Sequence, residues 1–370
     1  SCVRVERDMG TSSNRFDALR LVLASMVFLY HAVVLSGVHP DTRIEDYLAL
    51  VAELSIQGFF IISGALVYGS WERSRGLSDY AGKRVRRLYP AYAVIILIPA
   101  AISLFLSFGQ PGALAEIASY LGANLVFLNF LQPDLPGLFE DQRVSVVNGA
   151  LWTLKIEVMF YFLVPVLAWI LTRLGRGWWV AIAVLVVAAF AWRDVSFASN
   201  HPLSEQVARQ LPGQMMYFAA GMFLWRMWSV LRAHARIMLL IGAVSLALSL
   251  WVPSLEALRV LGLFGLIAGA AFAPGPPLNA ARWGDVSYGV YIVHFPVVQG
   301  LVAAGLFSAL GFAGGLTVSA LLVFALSYLL WWWVEKPALR RDSHYRQVSE
   351  ERTEDWPNTK PSNLTPHETA

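Results

Sequence analysis

The sequence predicts an all-α, polytopic integral membrane protein of about ten transmembrane helices with both termini in the cytoplasm. Three observations predict it. Of the 370 residues, 57% are hydrophobic and only 14% are charged, whereas a soluble domain carries about 25% charged residues. The apolar residues come in blocks of roughly 20, the length that crosses a hydrocarbon core at 1.5 Å per residue. Lys and Arg sit in short clusters between those blocks, where topology rules would put them.

The blocks fall at 16–37, 47–69, 91–108, 114–131, 150–172, 177–192, 211–231, 236–253, 255–273, 286–308 and 311–334. The first is too long for a signal peptide and lacks a small-residue cleavage site, so it reads as an anchor; Met9 ahead of it is a candidate start. The fourth block (LAEIASYLGANLVFLNFL) contains Glu116 and Asn124. If it spans, Arg226, Arg232 and Arg236 share an outside loop. If it is re-entrant or lies on the surface, the basic clusters at 4–15, 73–87, 173–176, 226–236, Arg282 and 336–341 all face one side, the positive-inside pattern. Ten spans follow. The chain then divides into a cytoplasmic N-terminal segment (1–13), a membrane domain (14–340) and a polar, disordered cytoplasmic tail (341–370). Outside lie the long segment 109–149 and the polar loop 193–210, which is placed to meet a substrate.

The net charge of +3 is spread as topology requires and does not point to nucleic acid. The single cysteine, Cys2, excludes an internal disulfide and a cysteine metal site. The chain carries no Gly-rich phosphate loop, no metal-binding His or carboxylate cluster and no Gly-x-Ser-x-Gly elbow. No internal repeat supports an inverted-repeat transporter.

Ionisable residues inside apolar blocks are the candidate functional groups, because lipid makes them costly. In RFDALRLVLASMVFLYH, Asn14 is a candidate cap and Asp17 stands in the first turn. Arg20 and His31 are eleven residues apart, so they share a helix face about 16 Å apart along the axis. Either Arg20 snorkels to the surface and His31 bonds a neighbouring helix, or the two are used. In ALWTLKIEVMFYFLVP, counting inward from the outer surface puts Glu157 about 10 Å deep, near the depth of His31. A carboxylate and an imidazole at one depth can pair across helices; a structural clamp or a protonated Glu157 is the alternative. Lys155 faces elsewhere. The inside loop DYAGKRVRRLYPAY carries Lys83, Arg84, Arg86 and Arg87, with Pro90 at a helix start or kink. Positive-inside topology explains these cations, yet Arg84 and Arg87 share a face and suit phosphates. Ser287, Tyr291 and His294 share a face of DVSYGVYIVHFPVV, for interhelical hydrogen bonds or a site. Gly58, Ser63, Gly64 and Gly69 read as helix packing, and Trp331, Trp332 and Trp333 as an interface belt.

Together, RFDALRLVLASMVFLYH, GFFIISGALVYGSW, KRVRRLYPAY, LWTLKIEVMFYFLVP and VSYGVYIVHFPVV, in this order over about 14–340, resemble the acyltransferase 3 family of membrane O-acyltransferases. The resemblance implies transfer of an acyl group, acetyl favoured, from cytoplasmic acyl-CoA to a hydroxyl of an extracytoplasmic or lipid-linked glycan. It also implies an inner-membrane location, a lipid surround and no tightly bound cofactor. By that resemblance His31 is the catalytic residue, as general base or acyl relay, supported by Glu157. Arg20, Arg84, Arg87 and Trp152 map onto family motif positions, and Ser287, Tyr291 and His294 complete the expected substrate and donor contacts. About 30 polar residues follow the last span, so no SGNH-type domain is expected, which suits exopolysaccharide or lipopolysaccharide acceptors. A transporter or flippase using Arg, His and Glu as a proton path is the competing class, and an acyltransferase acting on a lipid or small hydroxyl compound is the third. Oligomeric state is not encoded in any feature of the chain.

Overall fold

A computed structural model describes residues 15–38, 42–199, 201–274, 278, 284–340 and 343. Among them there are helices and turns but no strand, only an isolated bridge between Leu135 and Leu138. Each of the eleven apolar blocks becomes a helix. These are α1 Phe16–Ser36, α2 Arg43–Glu72, α3 Leu77–Leu106, α4 Ala113–Asn124, α5 Trp152–Arg173, α6 Trp178–Ala198, α7 Leu211–Arg226, α8 Ala235–Trp251, α9 Leu258–Phe272, α10 Val286–Ala303 and α11 Leu306–Leu330.

Seven of the apolar helices are long enough to cross a membrane, and α8 and α9 are shorter apolar helices. The chain is therefore a multi-pass membrane protein. With 12 residues, α4 is only about 18 Å long. It ends where Asn124 Nδ2 donates to the carbonyls of Tyr120 and Gln132 and folds the chain back.

Two charged ends define the bundle. At one, which we call the arginine end, Arg20 of α1 and Arg87 of α3 meet Asp285 before α10. At the far end Arg143 binds Glu45 and the carbonyl of Val34. Although short, α7 runs between these ends: Gln210 before it accepts a hydrogen bond from Lys155, and Arg226 in its last turn donates to the Tyr68 hydroxyl. Likewise α9 starts with Arg259 beside Glu53 and finishes with Phe272 against Phe16.

Small residues set the closest approach. A side chain at Gly64 would collide with the Phe218 carbonyl, and one at Gly221 with that of Ile61, so α2 and α7 touch backbone to backbone as small residues allow. On the same helix Gly58 and Gly69 face Leu23 and Trp225.

The structure corrects the sequence reading of α3. The basic stretch 83–87 is not a loop before a span; it is helical, and α3 starts already at Leu77. Charged side chains extend the helix past the apolar part because they find partners there: Lys83 pairs with Asp79 one turn away, and Arg340 pairs with the same carboxylate. Pro90 accordingly sits inside α3 and not at its start. The first helix is flanked by Arg15, with no side-chain cap. Asn14, the segment 1–13, Arg282 and nearly all of the tail 341–370 lie outside the described residues.

A cation-mouthed cavity below a histidine pair

A cavity of about 440 Å³ opens at the arginine end. Its mouth carries six cationic side chains, Arg73, Lys83, Arg84, Arg86, Arg87 and Arg340, and its depth is lined by Ser63, Glu157, Tyr161, Thr153 and Tyr291. Small and aromatic residues of α2 form one wall, because Ile56, Phe59, Phe60, Ser63 and Val67 repeat at helical spacing.

The cations at the mouth are not equivalent. Arg87 is held by two buried carboxylates, Asp285 and Glu335, the latter at 2.5 Å, and lies over the rings of Tyr288 and Trp331. Asp285 also binds Arg20 at 2.8 Å and accepts from Ser287 at 2.6 Å. Burial by itself would raise the Asp285 carboxyl; the guanidiniums of Arg20 and Arg87 outweigh it and hold the carboxyl below the usual carboxylate range. This cluster ties α1, α3, α10 and the turn after α11 together. Arg84 is different: one nitrogen donates to Ser70 Oγ at 3.1 Å, and its buried Nε has no hydrogen-bond partner.

At the bottom of the cavity, Tyr291 Oη and Thr153 Oγ1 are 2.7 Å apart. One helical turn beyond Tyr291 stands His294, fully buried, with its Nε2 at 2.9 Å from His31 Nδ1. The two rings are stacked, and Phe295 closes edge-on against His31. The other nitrogen of His294, Nδ1, faces the carbonyl of Val290 at 3.0 Å. A carbonyl only accepts, so Nδ1 of His294 carries the proton and its Nε2 is the acceptor when the ring is neutral. His31 Nδ1 is then the donor, and His31 Nε2 is left with a lone pair. The tautomers follow from this hydrogen-bond chain.

The expected pairing of His31 with Glu157 does not form. Glu157 Oε1 accepts from Ser63 Oγ at 3.2 Å and from Tyr161 Oη at 2.7 Å. The reason lies in where α5 begins. The chain before it is tucked against α10: Asn148 Nδ2 donates to the Ile292 carbonyl, and Gly149 abuts the Phe295 ring. Thr153 is therefore already level with Tyr291, and Glu157 lies one more turn toward the arginine end. Counting α5 from the outer surface made Glu157 too shallow. Trp152 packs into the hydrophobic core and is not among the cavity residues.

Of the sequence-derived residues, Arg20, Arg84, Arg87, Glu157, Ser287 and Tyr291 thus converge on one cavity, and His31 and His294 form a pair one turn beyond it. Sequence reasoning missed Asp285, Tyr161, Thr153 and the role of Ser63. Asp285 did carry a signal, being an acid at the positive-inside end of a block with no cation within a helical turn after it. Ser63, hidden among packing glycines, carried none.

A family model described as "Acyltransferase domain" matches residues 13–334. The chain belongs to this acyltransferase family. It is a membrane acyltransferase, and its cavity is to be read as one. The chain is 30% identical over 348 residues to an O-acetyl transferase of Shigella phage Sf6, covering 90% of this chain and 97% of that protein. It is 27% identical to nodulation protein 10 of Rhizobium leguminosarum bv. viciae, over 88% of this chain and 93% of that one. It is 25% identical to an exopolysaccharide production protein of Rhizobium meliloti (strain 1021), over 85% and 95%. No solved structure matches the chain.

Proposed function

We propose that this membrane acyltransferase moves an acetyl group from acetyl-CoA on the cytoplasmic side to a hydroxyl of a cell-surface or lipid-linked polysaccharide sugar. The observation that carries the reading is the cavity, which runs from a cationic mouth to within one turn of the His31–His294 pair. A donor with a phosphate-bearing head and a long, thin thioester arm fits that shape: Arg84 and its neighbours take the phosphates, and the arm runs up past Glu157 and Tyr291. The names of the Shigella phage and Rhizobium meliloti relatives support acetyl as the group and a polysaccharide as the acceptor.

In the chemical step the acceptor oxygen attacks the thioester carbonyl carbon while its proton passes to the free Nε2 of His31. The C–S bond breaks, and the departing thiolate takes that proton back from the imidazolium. His294 is a positioning residue: it fixes the tautomer of His31 and shares the charge that develops on it, the part a carboxylate plays in a hydrolase triad. Glu157 orients Ser63 and Tyr161 along the donor arm.

The topology that serves this reaction has ten spans in the inner membrane, with both termini and the arginine end in the cytoplasm. Its support is that α7, α8 and α9, added to the seven long helices, keep the basic clusters on one side.

Mass spectrometry of surface polysaccharide tests the proposal. Deleting the gene is expected to remove an acetyl mass from one sugar, and restoring it to return that mass. Unchanged polysaccharide, with no acetyl-CoA-dependent labelling of it in isolated membranes, would overturn the reading.

A further inference from the structure

Two tryptophans line the cavity beside the cations of its mouth: Trp225 in the last turn of α7 and Trp228 just after it. Both are half-buried. A tryptophan at the end of a membrane helix ordinarily faces the headgroups. These two border an internal cavity, so the lipid does not account for them.

Trp225 is held in one orientation. A Cβ on Gly69 of α2 would stand 2.5 to 2.6 Å from three atoms of its six-membered ring. Distances so similar put Gly69 against a face of the ring and not its edge, so a glycine that reads as helix packing seats an indole. The Nε1 of Trp225 donates to Glu72 Oε2 at 2.7 Å. Arg73, one turn beyond Gly69, places its guanidinium carbon 4.7 Å from the centre of the Trp225 ring. Trp228 stands edge-on to Trp225 at 5.6 Å and is itself wedged between Phe16 and Phe272.

The phosphate-seeking side chains lie alongside. Ser70 follows Gly69 directly, and its Oγ accepts from Arg84. The indole on Gly69 and the guanidinium on Ser70 therefore flank one turn of α2, and both line the cavity. A ligand with a flat π face joined by a short link to phosphates matches that pairing. Bases stack on indole rings and on guanidinium planes alike, and Arg84 with Lys83 and Arg86 supplies charge for the phosphates. An alkyl chain would use the ring and not the cations; inorganic phosphate would use the cations and not the ring.

We infer that Trp225, with Arg73 over its ring and Trp228 at its edge, is the subsite that takes the adenine base of the donor's nucleotide head. The inference rests on the acetyl-CoA-dependent transfer proposed above and assigns to that donor a base-recognition site separate from its phosphate contacts.

The test uses the full chain in membranes, labelled acetyl-CoA, and as acceptor the surface polysaccharide of the source strain stripped of its esters by mild alkali. The two halves of the donor serve as competitive inhibitors: adenosine 3′,5′-bisphosphate, which keeps the base, and phosphopantetheine, which keeps the arm and one phosphate. Trp225→Leu is expected to raise the inhibition constant of the adenosine half about tenfold, the worth of one base–aromatic stack, and to leave that of the pantetheine half unchanged. Trp225→Phe keeps a ring for stacking and should stay within about threefold of the parent. Arg73 is exposed, so Arg73→Ala carries the test should Trp225→Leu fail to insert, with a selective loss of about fivefold. A ratio of the two inhibition constants within about twofold of the parent's in both Trp225→Leu and Arg73→Ala, less than a stack is worth, would overturn the subsite and leave acyl transfer standing. Failure of the adenosine half to compete with acetyl-CoA would do the same. Absence of acetyl transfer by the unsubstituted chain would overturn both.

Discussion

His31 takes its chemistry from His294, about two and a half helical turns along α10 from the buried acid Asp285. The hydrogen-bond chain Val290 carbonyl, His294, His31 leaves one imidazole nitrogen unprotonated, and that nitrogen is the proposed base. Glu157 is outside the chain. Glu157→Gln is therefore expected to preserve the pH profile of kcat/KM that His31 imposes, whereas a direct His31 partner would displace it. Arg84 and Arg87 also separate at this scale. Arg84, which lines the cavity and is held by no carboxylate among the described residues, should on mutation to Ala raise the acetyl-CoA KM about tenfold, as for a lost charge-assisted hydrogen bond. Arg87→Ala strips two buried carboxylates of a partner, so its main effect is expected on folding yield and thermal stability in detergent. Steady-state kinetics together with a melting curve for both variants check this pair of outcomes.

At the scale of elements, Asp285 joins α1, α3 and α10 at the cavity mouth. Asp285→Asn leaves Arg20 and Arg87 short of a buried counter-charge, a loss of about 3–5 kcal/mol for broken buried pairs; denaturation in detergent should show it as a clear drop in melting temperature. Element existence was legible in the sequence because a 20-residue apolar block has one structural solution in lipid. Depth was not. Helix α5 starts inside the bundle, where Asn148 and Gly149 lean on α10, and no periodicity in α5 itself encodes that. The helical extension of α3 through its basic stretch escaped for a related reason: its partners, Asp79 and Arg340, are supplied by helix geometry and by a segment some 260 residues away. His31 and His294 were each recognisable as polar intruders in apolar blocks, but their contact is a property of how α1 and α10 pack.

Across the whole molecule, the cationic mouth of the cavity lies at one end and the Arg143–Glu45 pair at the other. A donor that enters at the cationic mouth reaches the histidine pair from that end only. Cysteine accessibility checks the topology beneath it. In a Cys2→Ser background, Arg75→Cys and Arg232→Cys should react with an impermeant thiol reagent only from the cytoplasm, and Glu140→Cys and Ser254→Cys only from outside. Reaction of positions 232 and 254 from the same side would show that α8 does not cross, and the ten-span topology would fall.

The most direct measurement of the central claim is single-turnover transfer from labelled acetyl-CoA to polysaccharide, comparing the parent chain with His31→Ala and His294→Ala at saturating donor. Loss of a general base costs about 10²–10⁴-fold in rate. His31→Ala should lose activity on that scale, and His294→Ala should lose a smaller factor, with the acetyl-CoA KM unchanged in both. Full transfer by His31→Ala would contradict the mechanism.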